Sequence, residues 1–186
     1  NIPDYIIGSL DDQSSYLGDG TGYISVFGSG SNVTTDQSWP ATDAPYQLDG
    51  VIDIFADVSI DPGAAFRFTS GSRIDVESGD NGGSLKAVGT LSDSIKFVGT
   101  NDIQGYWDGI RFSTTNNNNL LEYCLLANGG ADGYANVYIG YQGSATVNNS
   151  TIRDSGTSGV YIQNGGQFSE SNNTYINNAS GDIGRP

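Results

Sequence analysis

The feature that most constrains this chain is a set of short, apolar-alternating segments that keep returning at a loose period. Gly109-Ile-Arg-Phe, Asn136-Val-Tyr-Ile and Gly159-Val-Tyr-Ile form one series. Leu121-Glu-Tyr-Cys-Leu-Leu-Ala-Asn, Val147-Asn-Asn-Ser-Thr-Ile-Arg-Asp and Glu170-Ser-Asn-Asn-Thr-Tyr-Ile-Asn form a second, in which Leu125, Thr151 and Thr174 align. Two patterns drifting together with a period of about 25 residues mark a solenoid, whose repeats bury a core only by stacking on one another.

Upstream the same alternation continues without a fixed period. Ile52/Ile54, Val58/Ile60, Phe66/Phe68, Ile74/Val76, Leu85/Ala87 and Ile95/Phe97 each sit two apart, and alternate side chains of a strand share a face, so these pairs point inward. Gly, Asn, Asp and Ser separate the strands, and no helical stripe of useful length occurs. The expected fold is an all-β, right-handed parallel β-helix of about five coils, with three short strands per coil. Residues 1–45 are expected to form an N-terminal cap, Trp39 being part of the plug over the open end, and residues 46–186 the β-helix.

Composition narrows the function. The chain has 186 residues, a net charge of −14 and no His. Such a surface repels phosphate backbones and anionic lipid, so no nucleic-acid partner is expected. No apolar run approaches the length of a membrane span. The single Cys, Cys124, cannot form an intrachain disulfide and is expected to be a packing residue. With no Met even at position 1 and no visible signal peptide, the chain reads as a processed or excised piece of an extracellular or cell-surface protein. The Asn-x-Ser/Thr matches at Asn32, Asn148, Asn149, Asn172 and Asn178 read as turn chemistry.

Val58-Ser-Ile-Asp-Pro-Gly-Ala-Ala-Phe-Arg-Phe, Gly83-Ser-Leu-Lys-Ala-Val-Gly-Thr with Ile95-Lys-Phe, Trp107-Asp-Gly-Ile-Arg-Phe and Leu121-Glu-Tyr-Cys resemble bacterial right-handed parallel β-helix repeat proteins of the pectin-lyase-like superfamily, of the secreted or surface type. The resemblance spans residues 45–178. It implies the fold, and a choice among polysaccharide lyases, hydrolases, epimerases and non-catalytic adhesive or structural modules. A polygalacturonase-like site would need an Asn-Thr-Asp element, an Asp pair and a His-Gly; the only Asp-Asp here is Asp11-Asp12, in the expected cap. An epimerase-like site would need His. A pectate-lyase-like site would need an acidic calcium cluster with an Arg base. Arg67, Arg111 and Arg153 are the candidate bases, and Asp108, Glu122, Asp154 and Glu170 the candidate ligands, without a familiar motif.

Outward residues of a parallel β-helix stack into ladders. The expected ladders are Asp53, Asp75, Arg111, Tyr138, Tyr161; then Ser59, Lys86, Glu122, Thr146, Ser169; then Arg67, Lys96, Leu125, Thr151, Thr174. Asn128, Asp154 and Asn177 are expected to stack at one corner, and Asn149 and Asn172 at another. The candidate ligand-binding residues are Arg111, Tyr138 and Tyr161 on the first ladder with Trp107 and Asp108 on the adjoining loop, because aromatic rings beside charge suit a polysaccharide; a purely structural Tyr ladder is the alternative. No cofactor is expected. Structural calcium is allowed for at Asp19, Asp80 or Asp132, in Gly-rich loops. The expected function is a non-catalytic extracellular structural or adhesive module, possible partners being a cell-surface glycan or a second copy stacked head to tail. A polysaccharide lyase or hydrolase, and a filament subunit, are the alternatives.

Overall fold

The computed structural model describes residues 1–18, 20–28, 32–77 and 82–186. After β1 (Ile2–Pro3) and a 3-10 helix over Asp4–Ser9, the chain visits three parallel sheets, A, B and C, in turn. The first coil is β2 (Ile24–Phe27) in A, a single bridge from Val33 to Ile54 in place of a B strand, and β3 (Gln37–Trp39) in C. The next is β4 (Tyr46–Asp49), β5 (Val51–Ile54) and β6 (Asp57–Ile60), followed by β7 (Ala65–Phe68), β8 (Arg73–Glu77) and β9 (Ser84–Val88). Then come β10 (Ile95–Gly99), β11 (Gly109–Ser113), β12 (Leu120–Glu122) and β13 (Cys124–Ala127), β14 (Val137–Ile139), β15 (Ser144–Asn148). The last are β16 (Thr151–Arg153), β17 (Val160–Ile162), β18 (Gln167–Ser171), β19 (Thr174–Ile176) and β20 (Ile183–Gly184). Every pairing is parallel, and each strand pairs with the strand one coil away.

The architecture is an all-β parallel β-solenoid of about seven turns, rather than five. One added turn lies upstream of Tyr46, where β2 pairs with β4 and β3 with β6, so the N-terminal segment contributes strands to the sheets, and the other is the incomplete last turn, β19 on β16 and β20 on β17. The shortness of the N-terminal strands and the polar residues between them hide the period there. The 3-10 helix packs Ile7 into the core.

The inward pairs read from the sequence are all buried. Register stacks their side chains on one another along the axis. Tyr46, Phe66 and Phe97 occupy one position in three successive A strands, with ring centroids 5.0 and 5.4 Å apart and planes within 15° of parallel. Trp39 is also core, its ring against Phe66 and its Nε1 donating to Gln37 Oε1. Cys124 is buried, and burial pushes its thiol up to about 12, as fits a packing residue.

The corners are built from left-handed residues. Tyr123, Asn149 and Asn172 turn the chain from C to A with φ of 50°, 49° and 54°, and Asn128, Asp154 and Asn177 turn it out of A with φ of 69°, 53° and 52°. Asn and Asp tolerate this conformation best among non-glycine residues. Asn172 donates to Asn149, and Asn177 to Asp154, one coil away. Asn128 breaks the second stack by donating to Asp102.

Two of the expected ladders shift by two residues. Leu120, not Glu122, lies between Lys86 and Thr146, and Glu122, on the same face, aligns with Val88 and Asn148. Ala65, not Arg67, precedes Lys96, and Arg67 aligns with Gln47 and Val98.

Phe66→Ala removes the middle ring of the internal stack. It is expected to destabilise the fold by about 3–5 kcal/mol, read as a lower denaturant midpoint by circular dichroism. A cost below ~1 kcal/mol would show that the stack is not a principal source of stability.

Candidate functional site

The outer face of sheet B carries the first ladder in the expected register: Asp53, Asp75, Arg111, Tyr138 and Tyr161 pair in sequence across β5, β8, β11, β14 and β17. Alternation along β8 adds Arg73 and Glu77 to the same face. The 128–136 connection, which includes a 3-10 turn over Ala131–Gly133, brings Tyr134 over it. Gly109 lets this connection approach. It has φ of 121°, and a Cβ there would lie 1.9 Å from the Ala135 carbonyl oxygen.

The face has two halves. The first is ionic. Arg73 Nε donates to Asp75 Oδ2 at 2.9 Å, and its Nη1 to Asp108 Oδ2 at 3.3 Å. Arg111 Nη2 donates to Asp75 Oδ2 at 3.0 Å and to Glu77 Oε1. Although Asp75 projects outward, these groups roof it and it is only 1% exposed. Asp75 Oδ1, Asp108 Oδ1 and Arg111 Nε are, among the described residues, the buried side-chain polar atoms with no hydrogen-bond partner. Orphaned polar atoms are costly, and here they are confined to one cluster.

Charge follows this geometry. Burial raises the Asp53 pKa, the Asp75 charge adds to it, and Arg73 and Arg111 pull back only in part. Burial likewise raises Asp108 despite its Arg73 hydrogen bond. For Arg111, burial alone would lower the pKa, but the charges of Asp75 and Glu77 outweigh it and hold the guanidinium above its ordinary value. Arg73 is raised in the same way, chiefly by Asp75 acting against burial. Carboxylate oxygens of Asp53, Asp75 and Glu77 lie within 4.8 Å of one another. Two of those carboxylates are already matched by arginines, so the trio is not assigned to a metal. Of the loop residues considered for calcium, Asp132 is exposed and lines the neighbouring cleft, whereas Asp19 and Asp80 lie outside the described residues.

The second half is aromatic. Tyr138 and Tyr161 stack with centroids 5.4 Å apart, and Tyr134 meets Tyr138 edge-on at 5.2 Å while lying over Arg73. Because Tyr138 and Tyr161 face each other along the axis, they present edges outward. Tyr141 differs: it is 68% exposed, at the tip of the turn after β14, with Gly165 beneath its ring. Its backbone N–H donates to Gln163 Oε1 at 2.9 Å. Arg111, Asp132, Tyr134, Tyr138, Tyr141 and Gln163 line a cleft of about 460 Å³.

The structure thus brings together Arg111, Tyr138 and Tyr161. Asp108 joins through Arg73 but is buried. Trp107 does not belong to the outer face: it is fully buried, stacked on Phe68 at 3.9 Å, and its Nε1 donates to the Ala127 carbonyl. It precedes β11, where the strand's alternation does not fix its direction, and the turn folds it inward. Arg73 and Glu77 were discoverable from their spacing to Asp75; Tyr134 and Tyr141 sit in connections, where spacing carries no such signal.

Fold and face together define a parallel β-solenoid with a cleft of tyrosines beside a buried ionic cluster. No family model matches the chain, and neither a curated protein nor a solved structure matches it significantly.

Asp53→Asn tests the electrostatics. A raised folded pKa means that ionisation costs stability as pH climbs above the unfolded value near ~3.9, and the cost is complete above the folded pKa. The variant is expected to melt at a higher temperature than the parent at pH 7 and at the same temperature at pH 3. Equal shifts at both pH values would assign the effect to something other than ionisation.

Proposed function

We propose that this chain is a non-catalytic, extracellular, surface-type module of the right-handed, pectin-lyase-like kind, which contacts polysaccharide through the sheet B cleft and otherwise serves as a rigid adhesive element. The observation that carries the reading is the exposed Tyr141 ring at the rim of a cleft whose other walls offer an amide, a guanidinium and phenol edges. A sugar needs an apolar plane for its CH face and fixed polar groups for its hydroxyls.

Catalysis is the less supported reading of the same face. An arginine base would need a lowered pKa, and Arg73 and Arg111 are both raised. Glu77 and Asp75 accept from arginines, which occupies the carboxylates a hydrolase would use.

On a glycan array followed by calorimetry of the best binder, Tyr141→Ala is expected to weaken binding by about tenfold or more, equivalent to ~1.4 kcal/mol, without changing the melting temperature. No unsaturated sugar product is expected in a lyase assay with or without calcium. Turnover that Arg111→Ala abolishes would replace the binding reading with a lyase. Filaments of the purified chain in negative-stain images would move the functional surface to the ends of the solenoid.

A further inference from the structure

We propose that the outer face of sheet C is a second binding site, shaped for an extended, neutral polysaccharide lying along the solenoid axis. A cleft of about 920 Å³ runs along this face, against about 460 Å³ for the tyrosine cleft. Its floor is one outward row in continuous register, Ser38–Ser59–Lys86–Leu120–Thr146. With ~4.8 Å between strands, that row spans about 19 Å. It offers one side chain per coil at a step close to the rise of one sugar in an extended chain.

One wall is the 114–119 connection, and it is fixed in place. Asn119 is buried, accepts from the Leu85 N–H at 2.9 Å, and donates to the carbonyls of Asn116 and Ser144, each at 2.9 Å. Asn116 donates to the Gly82 carbonyl at 2.9 Å. The wall is therefore pre-organised, which lowers the entropic cost of binding.

The lining selects the ligand. The floor strands spend their backbone groups on one another, so an extended peptide would find no strand edge to pair with. What is offered instead is hydroxyl, amide and ammonium groups, with half-buried Leu120 as an apolar patch in mid-row. Lys86 is exposed and forms no ion pair among the described residues. The lining also holds two carboxylates, Asp36 and Asp57. Asp36 accepts from the Asp57 N–H, and Asp57 from Ser84 Oγ. The lining therefore carries more negative than positive charge, within a chain of net charge −14, so an acidic polymer is disfavoured and a neutral one fits.

The test titrates hexasaccharides of xylan, cellulose, mannan and laminarin, with hexagalacturonate as the acidic comparison, into the parent chain, Ser59→Trp, Lys86→Ala and Tyr141→Ala. Ser59 and Lys86 are exposed, so neither change disturbs the core; melting curves check this, and Thr146→Trp replaces Ser59→Trp if that variant misfolds. At least one neutral hexasaccharide is expected to bind Tyr141→Ala. Ser59→Trp is expected to weaken that binding by about 100-fold and Lys86→Ala by about tenfold. The proposal is overturned if no neutral hexasaccharide binds Tyr141→Ala, if Ser59→Trp leaves binding intact, or if hexagalacturonate binds more tightly than every neutral chain. Binding that is lost in Ser59→Trp but unchanged in Tyr141→Ala would uphold this site and reject the tyrosine cleft.

Discussion

Everything in this molecule depends on the parallel hydrogen-bonded ladder between one coil and the next. It fixes register, and register decides which side chains meet. Inside, it places Tyr46, Phe66 and Phe97 ring on ring. Outside, it delivers Asp75 to Arg111 and Tyr138 to Tyr161. The ladder holds only if each coil turns its corners at the same place, which the left-handed Tyr123, Asn149 and Asn172 ensure on one edge. Inward-reaching amides add to it: Asn173 accepts from the Ser150 N–H, and Asn178 from the Ser155 N–H, so backbone groups freed at the turns are satisfied by the next coil.

The sheet B face shows what stacking costs when the stacked groups are charged. Asp53 and Asp75 lie side by side in register. A flat sheet would leave both in water, but the 128–136 connection and two arginines cover Asp75. Arginine is suited to this, since its rigid fork can hold two acceptors at once: Arg73 bridges Asp75 and Asp108, and Arg111 bridges Asp75 and Glu77. The remaining mismatch is concentrated in Asp53, Asp108 and the unpartnered atoms beside them, adjacent to the tyrosine cleft.

Much of this was legible in the sequence, for a definite reason. Period-two alternation and a recurring length are local signals, so the fold, the inward pairs and the whole Asp53-to-Tyr161 ladder could be read directly. Alternation fixes the face but not which of two same-face residues stands opposite a neighbour, so some ladders were less secure: Leu120 stands in the place expected of Glu122. Connections were least legible. Trp107, Tyr134 and Tyr141 lie in or beside turns, where nothing in the spacing says whether a ring faces core or solvent. The coil before Tyr46 was obscured because Val33 makes a single bridge where later coils have a full B strand.

The connections leaving sheet A are unequal: 128–136 carries Tyr134 and Asp132, whereas 154–159 one coil later is a plain turn. Both begin at a left-handed residue and end in the same B register, so the added length changes neither neighbour. Such a scaffold separates heritable change into two independent kinds. Substitutions on the ladders are judged by the coils above and below, while insertions at corners are judged almost only by what they touch outside. New walls and rims can then be acquired, exchanged or discarded one coil at a time, and an engineer could lengthen 154–159 to extend the tyrosine rim without redesigning the core.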